Sequence, residues 1–461
     1  MDHELLLARS ITQAQHMVRA LGGCGIRAAL MRAPMGLTDR GCAYAVRLRP
    51  GTLEQALSCL KSAGITPLAV YHHTQVSGGG GMIYFDAGAT TLEKPAAVGR
   101  AMAQATHAMS SPGRGSYPAS RRAEETAYLC RQEAAELLGV PQPENVIITT
   151  SATHGLNIAI RSLLGSGDRV VISGYEHNAV TRPLHAIPGL SVTVIDTPLF
   201  RPDLAAEEFR RAIRQLRPRA VVCTHVSNVF GMILPVADIA ETCRETETPL
   251  IVDASQSAGV LPVDLSGWGA AFVALPGHKG LYGPQGTGLL LCGGEGAKPL
   301  LYGGTGSMSR LQDMPPDLPD RLEAGTHNMP GIAGLLEGIR FVRRQGVDAI
   351  AARERRVAQR AAQGLERLPG VRIFWDQELR HQTGVVSFVT EGRNCEEVGE
   401  DLARRGIALR AGLHCAPLAH RTAGTLETGT LRLSTSFFNT LDQADRLVWS
   451  VSRVLRENVE L

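Results

Sequence analysis

Residues 250–280 read LIVDASQSAGVLPVDLSGWGAAFVALPGHKG. The apolar runs Leu250-Ile251-Val252 and Phe272-Val273-Ala274-Leu275 lack the alternation of a half-exposed strand. Both therefore read as strands buried on two faces, which implies a parallel α/β sheet. Each run leads into reactive side chains. Asp253 closes the first, and the carboxyl ends of such strands are where α/β enzymes make ligand contacts. Past the second stands Pro276-Gly277-His278-Lys279-Gly280, whose glycines let the lysine approach a bound aldehyde closely. Burial there would lower an amine pKa from about 10.4 toward the reactive range. An acid 26 residues before that lysine is suited to keep a pyridinium nitrogen protonated.

Outward from this segment, Val146-Ile147-Ile148, Val170-Val171-Ile172, Val192-Thr193-Val194-Ile195 and Ala220-Val221-Val222-Cys223 alternate with helical stretches. The spacing predicts a mostly parallel sheet of the seven-stranded type. Thr149-Thr150-Ser151-Ala152-Thr153-His154-Gly155 follows a strand and opens a helix, placing hydroxyls and backbone N–H groups where a phosphate would bind. From about residue 340 a long Arg/Ala-rich helix, strands near Val371–Phe374 and Gly384–Val389 and a helix at Glu396–Arg405 read as a smaller α+β lobe. Upstream, Ser77-Gly78-Gly79-Gly80-Gly81 marks a linker. Before it the pattern is strand Leu5–Ala8, helix Ser10–Leu21, strand Arg27–Met31, strand Cys42–Leu48, helix Thr52–Ala63 and strand Thr66–Tyr71. That is a βαββαβ module. The expected domains are 1–76, a 77–81 linker, a large domain 82–340 and a small lobe 341–461.

The whole chain has 461 residues, 44% hydrophobic and 20% charged, the composition of a folded globular protein rather than a disordered one. Residues 1–77 hold eight basic against four acidic residues, and the remainder 39 against 40. A net charge of +3 without basic runs interleaved with aromatics gives no reason to expect nucleic acid. No apolar run reaches the roughly 18 residues of a membrane span. The nine cysteines are odd in number and irregularly spaced, and MDHELLLARS lacks a signal-peptide pattern. The expectation is a cytoplasmic chain with reduced thiols, Cys24 and Cys59 among them as core or surface residues. Only four lysines occur: Lys61, Lys94 and Lys298 read as solvated surface, leaving Lys279 for chemistry.

Further motifs fall in a fixed order: Tyr84-Phe85-Asp86 with Ala89-Thr90-Thr91, Tyr175-Glu176-His177-Asn178, Val226-Ser227-Asn228, Glu323-Ala324-Gly325-Thr326, Arg410-Ala411-Gly412-Leu413-His414-Cys415 and Leu431-Arg432-Leu433-Ser434. With Asp253, Gln256 and Lys279, they make residues 82–455 resemble the cysteine desulfurase branch of the class V, fold-type I enzymes that use pyridoxal 5′-phosphate (PLP). The resemblance implies a role for each position. Lys279 would hold PLP and move the substrate α-proton, Asp253 would pair with the pyridinium nitrogen, and Gln256 would bond the ring hydroxyl. His177 would stack on the ring, although a histidine there also suits a helix cap. Ala152, Thr153 and His278 would bind phosphate, and Thr326 would reach the phosphate of a second subunit, implying a homodimer with shared active sites. Asn228, Arg432 and Arg410 would meet the substrate, Arg432 as a carboxylate fork. Cys415 would attack the sulfur of L-cysteine, or the selenium of L-selenocysteine, leaving L-alanine. His154, Pro276, Ala87-Gly88 and Tyr117 depart from the usual pattern.

The N-terminal module resembles a small family of selenium/sulfur carrier-like domains, on Gly41-Cys42-Ala43-Tyr44-Ala45-Val46-Arg47 and the preceding Arg32-Ala33-Pro34. This implies that Cys42 accepts the chalcogen from Cys415, alone or on the way to an acceptor protein. His72-His73, without a matching ligand set, reads as the frayed end of a strand. Competing readings are a PLP aminotransferase or β-eliminating lyase of the same fold, neither needing Cys415, or a chalcogen carrier or scaffold serving a partner.

Overall fold

Four groups of extended segments appear along the chain in the computed structural model, which describes residues 2–32, 44–49, 51–74, 82–113, 115–294 and 296–456. The first group is β1 (Asp2–Ala8), β2 (Ala28–Arg32), β3 (Tyr44–Leu48) and β4 (Val70–Thr74). They form an antiparallel sheet in the order β2-β3-β1-β4. Helices Ile11–Gly23 and Leu53–Ser62 complete the βαββαβ order, a split βαβ arrangement. Ser10 caps the first helix, its hydroxyl accepting the N–H of Gln13. Leu6, Met17, Leu21, Val46 and Leu60 form a fully buried core between sheet and helices.

Three expectations fail in this module. The fourth strand runs from Val70, not Thr66, because Pro67 brings no N–H to a ladder, and the pairing with β1 is made by residues 70–74. His72 and His73 are thus paired strand positions opposite Glu4 and His3 rather than a frayed end. Cys24 and Cys59 are not free thiols but a disulfide, the ends of the two helices bringing their Cα atoms to 6.5 Å. Cys42 lies outside the described residues.

The larger part of the chain begins with β5 (Ile83–Tyr84). The central sheet holds β6 (Val146–Thr149), β7 (Arg169–Ser173), β8 (Ser191–Ile195), β9 (Ala220–Thr224), β10 (Leu250–Asp253), β11 (Phe272–Pro276) and β12 (Gly288–Cys292). Its order is β6-β12-β11-β10-β9-β7-β8, with β12 alone antiparallel to its neighbours. Alternate residues feed two apolar layers. Val221, Leu250, Val252 and Val273 enter one, and Val222, Ile251, Phe272 and Ala274 the other. That two-sided burial is why these strands carry no polar alternation.

The remaining strands are β13 (Val371–Phe374), β14 (Val385–Thr390), β15 (Ile407–Ala408), β16 (Arg410–Gly412) and β17 (Thr430–Ser434). An antiparallel sheet β13-β14-β17-β16 forms the small lobe, and β15 pairs instead with β5. The early segment therefore stitches into the late one: Ser434 N–H donates to the Phe85 carbonyl, and Asn439 Nδ2 to that of Tyr84. The long helix of this region is two helices, Met329–Gln345 and Val347–Glu366, broken at Gly346 with φ +83°. Among the described residues no helix is long and apolar enough to cross a membrane.

Candidate active site

β10 and β11 lie side by side, so their carboxyl ends deliver Asp253 and the Lys279 turn to one place. That turn is tightly fixed. Tyr282 N–H donates to the Lys279 carbonyl at 2.9 Å and Gly283 N–H to the Gly277 carbonyl at 2.7 Å. A Cβ on Gly280 would stand 2.3 Å from the Ala258 carbonyl oxygen, so only glycine lets the chain pass there. Above the turn opens a cavity of about 210 Å³ with Lys279, Asp253, Gln256, His177, Asn228 and His278 in its wall. Ala152 and Thr153 line it too, at the N-terminus of helix Ala152–Leu163, which Ser151 caps by accepting the His154 N–H.

Electrostatics follow from burial. Desolvation lowers the Lys279 ammonium to about 8, against the pull of Asp253, so its neutral amine is accessible near neutral pH. Asp253 is pushed upward by burial, with the Ser255 N–H at 2.9 Å and the charge of Lys279 holding it back. His177 is lowered to about 3 by burial, then by Lys279, and stays a neutral ring. Its Nδ1 accepts the Ala179 N–H at 3.0 Å, the helix cap expected from the sequence, and the residue lines the cavity. Gln256 donates Nε2 to the Gly88 carbonyl.

The small lobe closes the other side through Arg432 and Arg410. Asp86 holds both: Arg432 Nη2 donates to Oδ1 at 2.7 Å, and Arg410 donates Nη2 to Oδ2 at 2.8 Å and Nε at 3.0 Å. Arg432 is 2% exposed and also donates Nη1 to the Asn228 carbonyl. The loop after β16 carries His414 (φ +49°) and Cys415 (φ +57°), two consecutive left-handed residues. It is pinned to the cavity's rim, Asn228 Nδ2 donating to the His414 carbonyl at 2.8 Å and Asn178 N–H to the Cys415 carbonyl at 2.8 Å. Cys415 is exposed, whereas the other free cysteines among the described residues are buried. The His414 ring turns away to Thr430 and is lowered well below the usual histidine range by burial and Arg432. Against the effect of burial, Arg410 is held above its ordinary value chiefly by its hydrogen bonds to Asp86 and by the charge of that carboxylate.

Of the described residues expected from sequence, Thr326 stands apart from this group. It is exposed and lines a separate polar pocket of about 390 Å³ with Tyr117 and His327. Lys94 is corrected: half-buried rather than solvated, it donates Nζ to Thr91 Oγ1 at 2.8 Å and is lowered to about 8 by burial. Sequence reasoning gave Asp86 no role, though it stood in a quoted motif. It also missed Glu176, whose Oε1 accepts the Thr224 N–H at 2.7 Å and whose burial raises it to about 8.

Do these residues suit PLP? Asn228 Oδ1 and His278 Nδ1 are buried without a partner in the protein, and each belongs to a residue of the cavity wall. An amine near neutrality, an acid beside it and a helix N-terminus fit the aldehyde, ring nitrogen and phosphate of PLP. The sheet, with this site at its carboxyl ends, defines a fold-type I PLP enzyme. The aminotransferase class-V profile matches residues 83–447, and the chain belongs to that family. A probable cysteine desulfurase of Mycolicibacterium paratuberculosis is 33% identical over 388 residues, covering 81% of this chain but 55% of the relative's length. One from Xylella fastidiosa is 31% identical over 405 residues, covering 81% and 91% of the two chains. Among solved structures, the apo cysteine desulfurase of Thermococcus onnurineus superposes with a TM-score of 0.75 at 28% identity, over 82% of this chain and 95% of that one. A cysteine desulfurase from Escherichia coli gives 0.71 at 28%, with the same coverage.

Proposed function

We propose that the chain is a PLP-dependent cysteine desulfurase that converts L-cysteine to L-alanine and leaves the sulfur on Cys415. The observation that carries this reading is the exposed Cys415 on a loop hydrogen-bonded to Asn178 and Asn228 at the mouth of the Lys279 cavity. A transaminase or β-eliminating lyase has no use for a thiol held there. Lys279, Asp253, Gln256 and His177 hold PLP, with Ala152, Thr153 and His278 at its phosphate; bound PLP supplies an electron sink for the bonds at the substrate carbon. Arg432 and Asn228 take the substrate carboxylate, and Arg410 stands by the thiol. Lys279 moves the α-proton. The Cys415 thiolate attacks the substrate sulfur, so the S–S bond forms as the carbon–sulfur bond breaks, giving Cys415–S–SH. The carbon left behind is protonated to alanine.

The enzyme works as a cytoplasmic homodimer in which Thr326 completes the partner's phosphate site, and it passes sulfur to an acceptor protein. The 1–76 module acts as a carrier through Cys42, ahead of the 82–340 and 341–461 parts of the enzyme. L-selenocysteine is a second substrate of the same site. In a side-by-side assay, wild-type protein forms alanine from both amino acids. Cys415→Ala loses alanine formation from cysteine by about 10²–10³-fold and keeps selenide release. A wild type that makes no alanine from L-cysteine ends the desulfurase reading.

A further inference from the structure

We propose that Cys24 and Cys59 are a working dithiol that discharges the sulfur held on Cys415 as sulfide, the disulfide in this structure being their product. The inference rests on the desulfurase reading and adds a reductive site to it. A sulfane sulfur leaves as sulfide only when two electrons reach it, and a dithiol supplies two electrons in one exchange.

Among the described cysteines, these two alone can meet such a sulfur outside the active site. Cys130, Cys223, Cys243, Cys292 and Cys395 are buried. Burial drives the thiols of Cys130, Cys243 and Cys292 up to about 12, and that of Cys223 well above its ordinary value. Cys24 is exposed and Cys59 half-buried, its Sγ 3.4 Å from the Ala20 carbonyl oxygen. That geometry suits an outward nucleophile and an inner resolving thiol. The bridge does not stand in for a missing core, because Leu6, Ala14, Met17, Leu21, Val46 and Leu60 are already fully buried beneath it.

Position along the helices supports the same role. Cys24 is the C-cap of helix Ile11–Gly23, and Cys59 lies in the last turn of helix Leu53–Ser62. The C-terminal end of a helix carries partial negative charge, which disfavours a thiolate. Reduced pairs that are not stabilised as thiolates favour the disulfide, and so give up electrons readily. A charge of the module also acts on the lobe that carries Cys415. The charge of Arg47 on β3 reaches Glu400 and Arg404, on the helix Cys395–Arg404 of the lobe that carries Cys415.

The exchange balances. The Cys24 thiolate attacks the outer sulfur of Cys415–S–SH, breaking that S–S bond and returning Cys415 as a thiol. Cys59 then attacks the Cys24 sulfur, forms the Cys24–Cys59 bond and expels hydrosulfide. The two thiols lose two protons and two electrons, and the sulfane sulfur leaves as hydrogen sulfide. A second cycle needs the bridge reduced by a low-molecular-weight thiol or a dithiol protein.

The test uses full-length PLP-loaded enzyme, fully reduced, desalted and anaerobic, given one equivalent of L-cysteine. Alanine, sulfide and the Cys24–Cys59 peptide mass are then measured together. The wild type should give about one sulfide per alanine and a newly formed bridge, while Cys24→Ser and Cys59→Ser should form the same alanine with sulfide cut about tenfold or more. Wild type that forms alanine but keeps both thiols reduced and the sulfur on Cys415 overturns the inference without any variant. Equal sulfide from Cys24→Ser overturns it as well. No alanine at all brings down the desulfurase reading instead, and this inference with it.

Discussion

Lys279 and Cys415 are the two nucleophiles proposed for one site, and the protein holds them in opposite ways. Lys279 sits in a locked turn at the end of a buried strand, where a single Cβ on Gly280 would collide with backbone. Cys415 stands exposed on a loop with two left-handed residues, its own tie being its backbone carbonyl, which accepts the Asn178 N–H. The amine must lose its proton to act, and burial, aided by the charges of Arg432 and Arg410, favours that loss. The thiol must give up what it carries, so its sulfur has to be reachable from outside.

Lys279→Ala gives the sharpest break between the two. Cofactor-dependent visible absorbance should vanish and alanine formation should fall by about 10⁴-fold or more. Cys415→Ala should leave that absorbance intact. A Lys279→Ala protein that keeps the wild-type spectrum would show that the amine is not the anchor.

Next in size is Asp86→Asn. Asp86 pairs buried Arg432 on one side and Arg410, on the strand that leads to Cys415, on the other. Losing its charge leaves guanidinium groups uncompensated in a buried setting, at a cost of about 3 kcal/mol. Denaturant unfolding should register that loss, along with a raised KM for cysteine. An unchanged midpoint would mean the two arginines do not depend on Asp86.

The mildest test is pH. Cofactor-free protein should take up PLP faster as pH rises through about 8, the value set by burial of Lys279, and level off above it. Below that point the protonated amine cannot attack, so the rate should drop about tenfold per pH unit. Flat uptake between pH 6 and 9, read by stopped-flow absorbance, would remove burial as the source of reactivity.

The buried strands and their terminal Asp253 and Lys279 were legible because two-sided burial leaves a continuous apolar run, and the reactive residue follows directly. Cys415 was legible through its motif, as were the cavity residues. Asp86 was not. Its partners lie 324 and 346 positions downstream, and nothing local to Tyr84-Phe85-Asp86 says which arginines it will meet. Lys94 looked solvated because a Thr-rich turn resembles surface, yet that turn folds back onto the carbonyl of His278. The Cys24–Cys59 bridge was hidden for a similar reason. The odd cysteine count and the absence of a signal-peptide pattern argued for free thiols, while the pairing depends on how two helix ends meet across 35 residues.

Because Asp86 opens the catalytic unit and Arg432 nearly closes it, the order of synthesis matters. A ribosome has made Lys279 and Asp253, and the strands that hold them, long before it reaches β17. The segment 83–86 must wait, its partners β15 and Ser434 unmade. A chain cut short before residue 432 would hold Asp253 and Lys279 but lack Arg432 and the Ser434 N–H that bonds the Phe85 carbonyl. Completeness of the polypeptide through residue 432 is thus a condition for the Asp86–Arg432 pair to form at all.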